Sequence, residues 1–138
     1  MRDYPVNSPE AMARILAMFI ISDGVMDERE LDTIEELNLF ELIGIERKRF
    51  LEVLMRYCDD ISAEADDNGL IHMIDPERVD YLFDQITDYQ KRVLICALAL
   101  DLCKADDTIS EPEMALLRHM MKRWHLTLEI LEREFSRT

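Results

Sequence analysis

The sequence predicts an all-α fold: a single-domain bundle of about seven helices with an internal pseudo-repeat of helical hairpins. Three observations predict it. Apolar residues recur every three or four positions along nearly the whole chain, rather than every second one. Glycine (3) and proline (4) are scarce among 138 residues, too few for a many-turned β architecture. The breaks between apolar stretches carry the residue types that start helices.

The predicted helices span 8–22, 28–39, 45–62, 76–85, 88–104, 111–124 and 128–136. The first opens on Asn7 or Ser8 ahead of Pro9, a cap followed by proline at the first helical position. The second starts at Asp27-x-x-Glu30, a capping box in which the cap side chain accepts from the N3 amide and the Glu reaches back. The third rests on periodicity alone and runs into "DDISAEADDNGLIHMID", Asp59 to Asp75, read as a helix end and a long connection. Asp75 before Pro76 caps the fourth, and Thr87 with Gln90 offers a capping box for the fifth. Ser110-x-x-Glu113 starts the sixth, and Thr127 can cap the last.

The length suits one domain, residues 1–138, large enough to bury a core without staples. Hydrophobic residues make up 49% and charged residues 33%, a globular rather than disordered balance. No apolar run reaches the roughly 18 residues of a membrane span, and no basic leader precedes the first apolar stretch. A cytoplasmic protein without membrane insertion is expected. The net charge of −14 disfavours a nucleic-acid backbone and anionic lipid as partners, and suits cations or a basic protein.

Cys58, Cys96 and Cys103 form no CxxC, and His72, His119 and His125 share no HxxxH or HExxH spacing, which argues against a zinc site. Cys96 and Cys103, seven residues apart on an apolar stripe, read as core packing. No GxSxG is present, and the cysteines sit in apolar helical contexts, so nucleophilic catalysis finds no support. His119 and His125 flank Met120, Met121 and Trp124, which reads as a helix end at the core edge rather than a general base. The nine methionines read mostly as core fillers.

The internal repeat appears at an offset of 83 residues. Asp23 falls on Asp106, Met26 on Ile109, Asp27 on Ser110, Glu30 on Glu113 and Leu31 on Met114. Upstream, Ile15 and Phe19 fall on Leu98 and Leu102; downstream, Ile34 and Leu37 fall on Leu117 and Met120. Most of this break is helix-start chemistry. The boxes account for Asp27, Glu30, Ser110 and Glu113, and Met26–Leu31 and Ile109–Met114 occupy the places of a hydrophobic staple. Asp23, Asp106 and Asp107 are left over. They follow the end of a helix, at its negative pole, where a carboxylate is disfavoured by about 0.3–1 kcal/mol. Local Asx turns are one use for them. The other is a cation: Asp and Glu from two loops supply hard oxygens that suit Ca²⁺ or Mg²⁺.

"ISDGVMDEREL", Ile21 to Leu31, resembles the signature of the TerB-like tellurite-resistance family, and "KADDTISEPEM", Lys104 to Met114, looks like that family's second motif. The resemblance implies an all-helical fold of pseudo-duplicated halves, no enzymatic activity, and an association with stress and tellurite resistance beside membrane- and metal-linked partners. It also implies a divalent-cation site at Asp23, Asp27 and Glu30 and at Asp106 and Glu113. The second motif departs from the first at Ser110, where Asp27 stands, and at Asp107, where Gly24 stands; the resemblance then implies either weaker metal binding by the second half or Asp107 as a substitute ligand. An acidic adaptor that docks a basic partner, with the loops serving only as caps, is the alternative. "EADDNGLIHMID", Glu64 to Asp75, can be laid on a twelve-residue EF-hand loop, but Glu64 and Asp75 stand where Asp and Glu are usual, and a polar surface loop fits better.

Overall fold

The computed structural model describes residues 4–21, 38–63, 76–103 and 111–136. These form seven helices around one hydrophobic core, with no strand among the described residues. They are α1 (Pro9–Ile20), α2 (Leu39–Ile43), α3 (Arg47–Ala63), α4 (Pro76–Asp84), α5 (Tyr89–Cys103), α6 (Glu111–Arg123) and α7 (Leu128–Ser136). No helix among them is long and apolar enough to cross a membrane. The expected helix over 28–39 falls almost wholly outside the described residues, as do the long connection Glu64–Asp75, its EF-hand reading, and the caps at Asp27, Asp75 and Ser110.

Helix α1 is the centre of the bundle. Every residue from Ala11 to Ile20 is buried. A helix that is apolar all round has no solvent face to offer, so it packs on several neighbours at once. Helix α1 lies against α2, α3, α4 and α5. Helix α5 is the second such element. Val93, Ile95, Cys96, Leu98, Ala99 and Leu102 are buried, because α1 covers one side while α6 and α7 pack on it as well. The upstream members of the predicted repeat, Ile15, Phe19, Leu98 and Leu102, all lie in this core, as do Leu117 and Met120 downstream. Met12, Met18 and Met120 are core residues, while Met55 is exposed.

The one charge within the buried run Ala11–Ile20 of α1 is Arg14, only 1% exposed. Its guanidinium lies 4.7 Å from the Tyr4 ring centroid and 5.8 Å from that of Tyr81. A planar, weakly hydrated cation stacks on aromatic faces, which makes arginine the basic residue best suited to this position. The N-terminal segment carrying Tyr4 is thereby laid over the bundle.

Helix starts follow the expected chemistry with one correction. Ser8, not Asn7, caps α1: its Oγ accepts from the Ala11 amide at 3.1 Å, with Pro9 next in the chain. Thr127 caps α7, its hydroxyl oxygen accepting from the Ile130 amide at 3.2 Å. The expected Thr87–Gln90 box at α5 is replaced. The helix begins one residue later, and Asp88 is its cap, with Oδ2 accepting from the Lys91 amide at 3.0 Å. Thr87 is engaged elsewhere, by Asn7. The Asn7 Oδ1 accepts from the amides of Thr87 (2.8 Å) and Asp88 (3.0 Å), its Nδ2 donates to Thr87 Oγ1 (2.8 Å), and its own amide donates to the Gln85 carbonyl (2.8 Å). Asn7 takes the left-handed conformation (φ 64°) that asparagine tolerates better than most residues.

A second difference lies at residues 38–44. The periodicity predicts one helix to residue 39 and another from 45, yet α2 stands between them. Asn38, left-handed at φ 55°, stands at the start of α2, and Gly44 at φ 75° closes it. The Gly44 amide donates to the Glu41 carbonyl (3.3 Å) and the Ile45 amide to the Phe40 carbonyl (2.9 Å), the paired bonds of a Schellman ending.

Candidate functional site

Of the six residues predicted to ligate a cation, Asp23, Asp27, Glu30, Asp106 and Asp107 lie outside the described residues, as do Gly24 and the staple residues Met26, Leu31 and Ile109. Glu113 is described. It sits in the first turn of α6 and is buried, at 9% exposure. Glu111 shares that turn, where negative charge complements the helix N-terminus. The frame around the predicted loops is clear. Asp23 follows α1 by three residues, Asp106 follows α5 by three, α1 packs on α5, and α5 packs on α6. Among the described residues no group of three or more His, Cys, Asp or Glu is placed to hold a metal ion.

The cysteines match the core reading where they are described. Cys96 is fully buried, and burial pushes its thiol up to about 12. Cys58 is half-buried, and burial followed by the charge of Asp59 raises its thiol as well. A raised thiol is poorly nucleophilic, because the thiolate is the reactive form. Trp124 and Met120 are buried, which agrees with the reading of this region as a helix end at the core edge. The Trp124 indole N–H donates to the Phe83 carbonyl at 3.2 Å, and its ring stands edge-on to Phe83 at 5.6 Å.

A linked set of titratable groups among the described residues was not a predicted site. It joins α4 to α6. The Arg123 fork grips Asp84 with two bonds, Nε to Oδ1 at 2.9 Å and Nη2 to Oδ2 at 2.8 Å. Nη1 of Arg123 lies 3.5 Å from Asp80, whose Oδ1 also meets His119 Nε2 at 2.5 Å. The bond from Arg123 holds the Asp84 carboxyl below its ordinary range, and the bond from Asp84 raises Arg123. The Asp80–His119 and Asp84–Arg123 pairs each span 39 residues. The signal was present in outline: Asp80 and Asp84 are four apart on one helix, and His119 and Arg123 are four apart on another. Which helix faces which is a tertiary fact, and periodicity does not carry it.

The arrangement is an ion-pair ladder that docks two helix ends. Comparisons with protein-family models, with curated proteins and with solved structures find no match to this chain.

Proposed function

We propose that this chain is a non-enzymatic, TerB-like stress-response module of the cytoplasm, associated with tellurite resistance. It binds a hard divalent cation, Ca²⁺ or Mg²⁺, through its two acidic inter-helix segments. Asp23, Asp27 and Glu30 supply oxygens from the first segment, and Asp106, Asp107 and Glu113 from the second. The observation that carries the reading is the placement of those segments. In the chain the first comes after α1 and the second lies between α5 and α6; α1 packs on α5 and α5 on α6, whose first turn holds the buried Glu113. A carboxylate after a helix C-terminus is disfavoured until a cation offsets it.

The test is an amide-shift titration of the metal-free chain with Ca²⁺, Mg²⁺, Zn²⁺ and Mn²⁺, in wild type and in an Asp23→Asn/Asp106→Asn double variant. Saturable shifts confined to both segments in wild type, lost in the variant, support the site. Small, non-saturating shifts spread over the acidic surface overturn it. The net charge of −14 then favours the second reading, an acidic adaptor for a basic protein partner.

A further inference from the structure

Although the molecule is strongly acidic, the stretch from Met114 to Leu128 holds no Asp or Glu and carries Arg118, His119, Lys122, Arg123 and His125. At the C-terminal end of α6 this stretch lines an open depression of about 340 Å³, with His119, Lys122, Arg123 and His125 in its wall. That volume is in the range of small-ligand sites. The planar fork of Arg123 is already taken by Asp84, and His119 Nε2 by Asp80. The side chains of Lys122 and His125 have no hydrogen-bond or ion-pair partner among the described residues, and both residues are exposed.

Two cations in the last helical turn complement the helix dipole, which accounts for the presence of Lys122 and Arg123. It does not account for His125. Helix α6 ends in the same Schellman geometry as α2: the His125 amide donates to the Lys122 carbonyl (3.3 Å) and the Leu126 amide to the Met121 carbonyl (2.9 Å). In α2 the left-handed position is Gly44; in α6 it is His125, at φ 55°. Glycine adopts this conformation freely, and a side chain adopts it at a cost. Residues kept against such a cost cluster at ligand sites. Here the cost places an imidazole at the rim of a basic depression.

The geometry points to a site for a small phosphate-class oxyanion at the α6–α7 corner, held by Lys122 and His125 with His119 behind them. Arg123 pairs with Asp84 and lies 3.5 Å from Asp80, which also meets His119, so the nearby carboxylates already have partners. The uncommitted donors are the Lys122 ammonium and an imidazole N–H of His125. These are separate point donors that suit a tetrahedral oxyanion, whereas a planar carboxylate is best matched by the arginine fork.

The probe is inorganic phosphate, titrated into the full chain in chelator-treated buffer at constant ionic strength, with histidine ring and amide resonances followed. Parallel arms use glycerol phosphate and acetate. Saturable shifts at His119, Lys122 and His125 are expected, weakened about tenfold in Lys122→Gln and in His125→Gly, with acetate binding more weakly than phosphate. His125→Gly keeps the chain turn, since glycine suits that backbone, so its loss of binding does not report misfolding. Tighter binding of the ester identifies a phosphorylated small molecule as ligand, and tighter binding of the free ion identifies phosphate itself; either supports the site. Non-saturating shifts, or both variants binding like wild type, overturn it, and equal binding of acetate overturns the phosphate preference. Because no divalent cation is present, the outcome is independent of the acidic-loop reading.

Discussion

The clasp made by Asn7 ties the N-terminal segment to the start of α5 through exposed hydrogen bonds, and substituting it tests whether that segment is part of the fold. Asn7→Ala removes three side-chain hydrogen bonds: two from the amides that open α5 and one to Thr87. All three are exposed, so the freed groups return to water, and each contributes near the lower limit, about 0.5 kcal/mol. Alanine must also hold Asn7's left-handed backbone, at a further cost of about 1 kcal/mol. The sum is about 2.5 kcal/mol. For a domain of this length the unfolding entropy near the midpoint is about 0.3 kcal/mol per kelvin, so Tm falls by roughly 8 °C. Asn7→Asp keeps the acceptor oxygens and loses only the donor to Thr87, and costs about 0.5–1 kcal/mol. Urea melts and amide exchange at Thr87 and Asp88 make the measurement. If Asn7→Ala lies within about 0.5 kcal/mol of wild type and both amides keep their protection, the clasp is not closed in solution and the reasoning fails.

Other expectations follow from the same contacts. His125→Gly raises stability by about 0.5–1 kcal/mol in a urea melt, the relief of the left-handed backbone less the extra chain entropy of glycine; destabilisation would refute the assignment of that turn. Phe83→Ala, at a fully buried ring against Trp124, costs about 3–5 kcal/mol and loosens the α4–α6 contact, read from Trp124 fluorescence and a denaturant melt. The Asp84 carboxyl is held low by Arg123, so its contribution is present above the ordinary carboxylate pKa of about 3.9 and is lost as pH falls through the depressed folded value. Asp84 is more than half exposed and solvent screens the pair, so Asp84→Asn removes less than about 1 kcal/mol at pH 7 and flattens the stability profile below pH 4. Cys96, with its thiol pushed up to about 12 by burial, stays unlabelled by a thiol reagent at pH 8 until the chain unfolds.

Most of the secondary structure was legible because it is written locally. The apolar spacing of α1, α5 and α6, the serine and proline that open α1, and Thr127 ahead of α7 each act within a turn of themselves. The misreading at α5 shows where local chemistry stops. Thr87 has the right type and spacing for a capping box, but Asn7, eighty residues away, occupies it, and the cap moves to Asp88. The short α2 between Asn38 and Gly44 was missed for a related reason. A left-handed residue bounds a helix without leaving a mark on the apolar spacing.

By itself, the sequence determined that this chain is helical, that it buries an apolar core, and that acidic residues recur at two matching breaks. Those are consequences of period, composition and side-chain type, which act over a few residues. Tertiary structure alone decided that α1 lies at the centre, that Arg14 is buried against Tyr4 and Tyr81, and that Asp80 and Asp84 meet His119 and Arg123. These depend on which helix faces which. Many helices present an apolar side, so hydrophobic burial specifies that they pack but not with which partner. The choice is made by the combined fit of side chains, buried charge and turn geometry that only the assembled bundle contains.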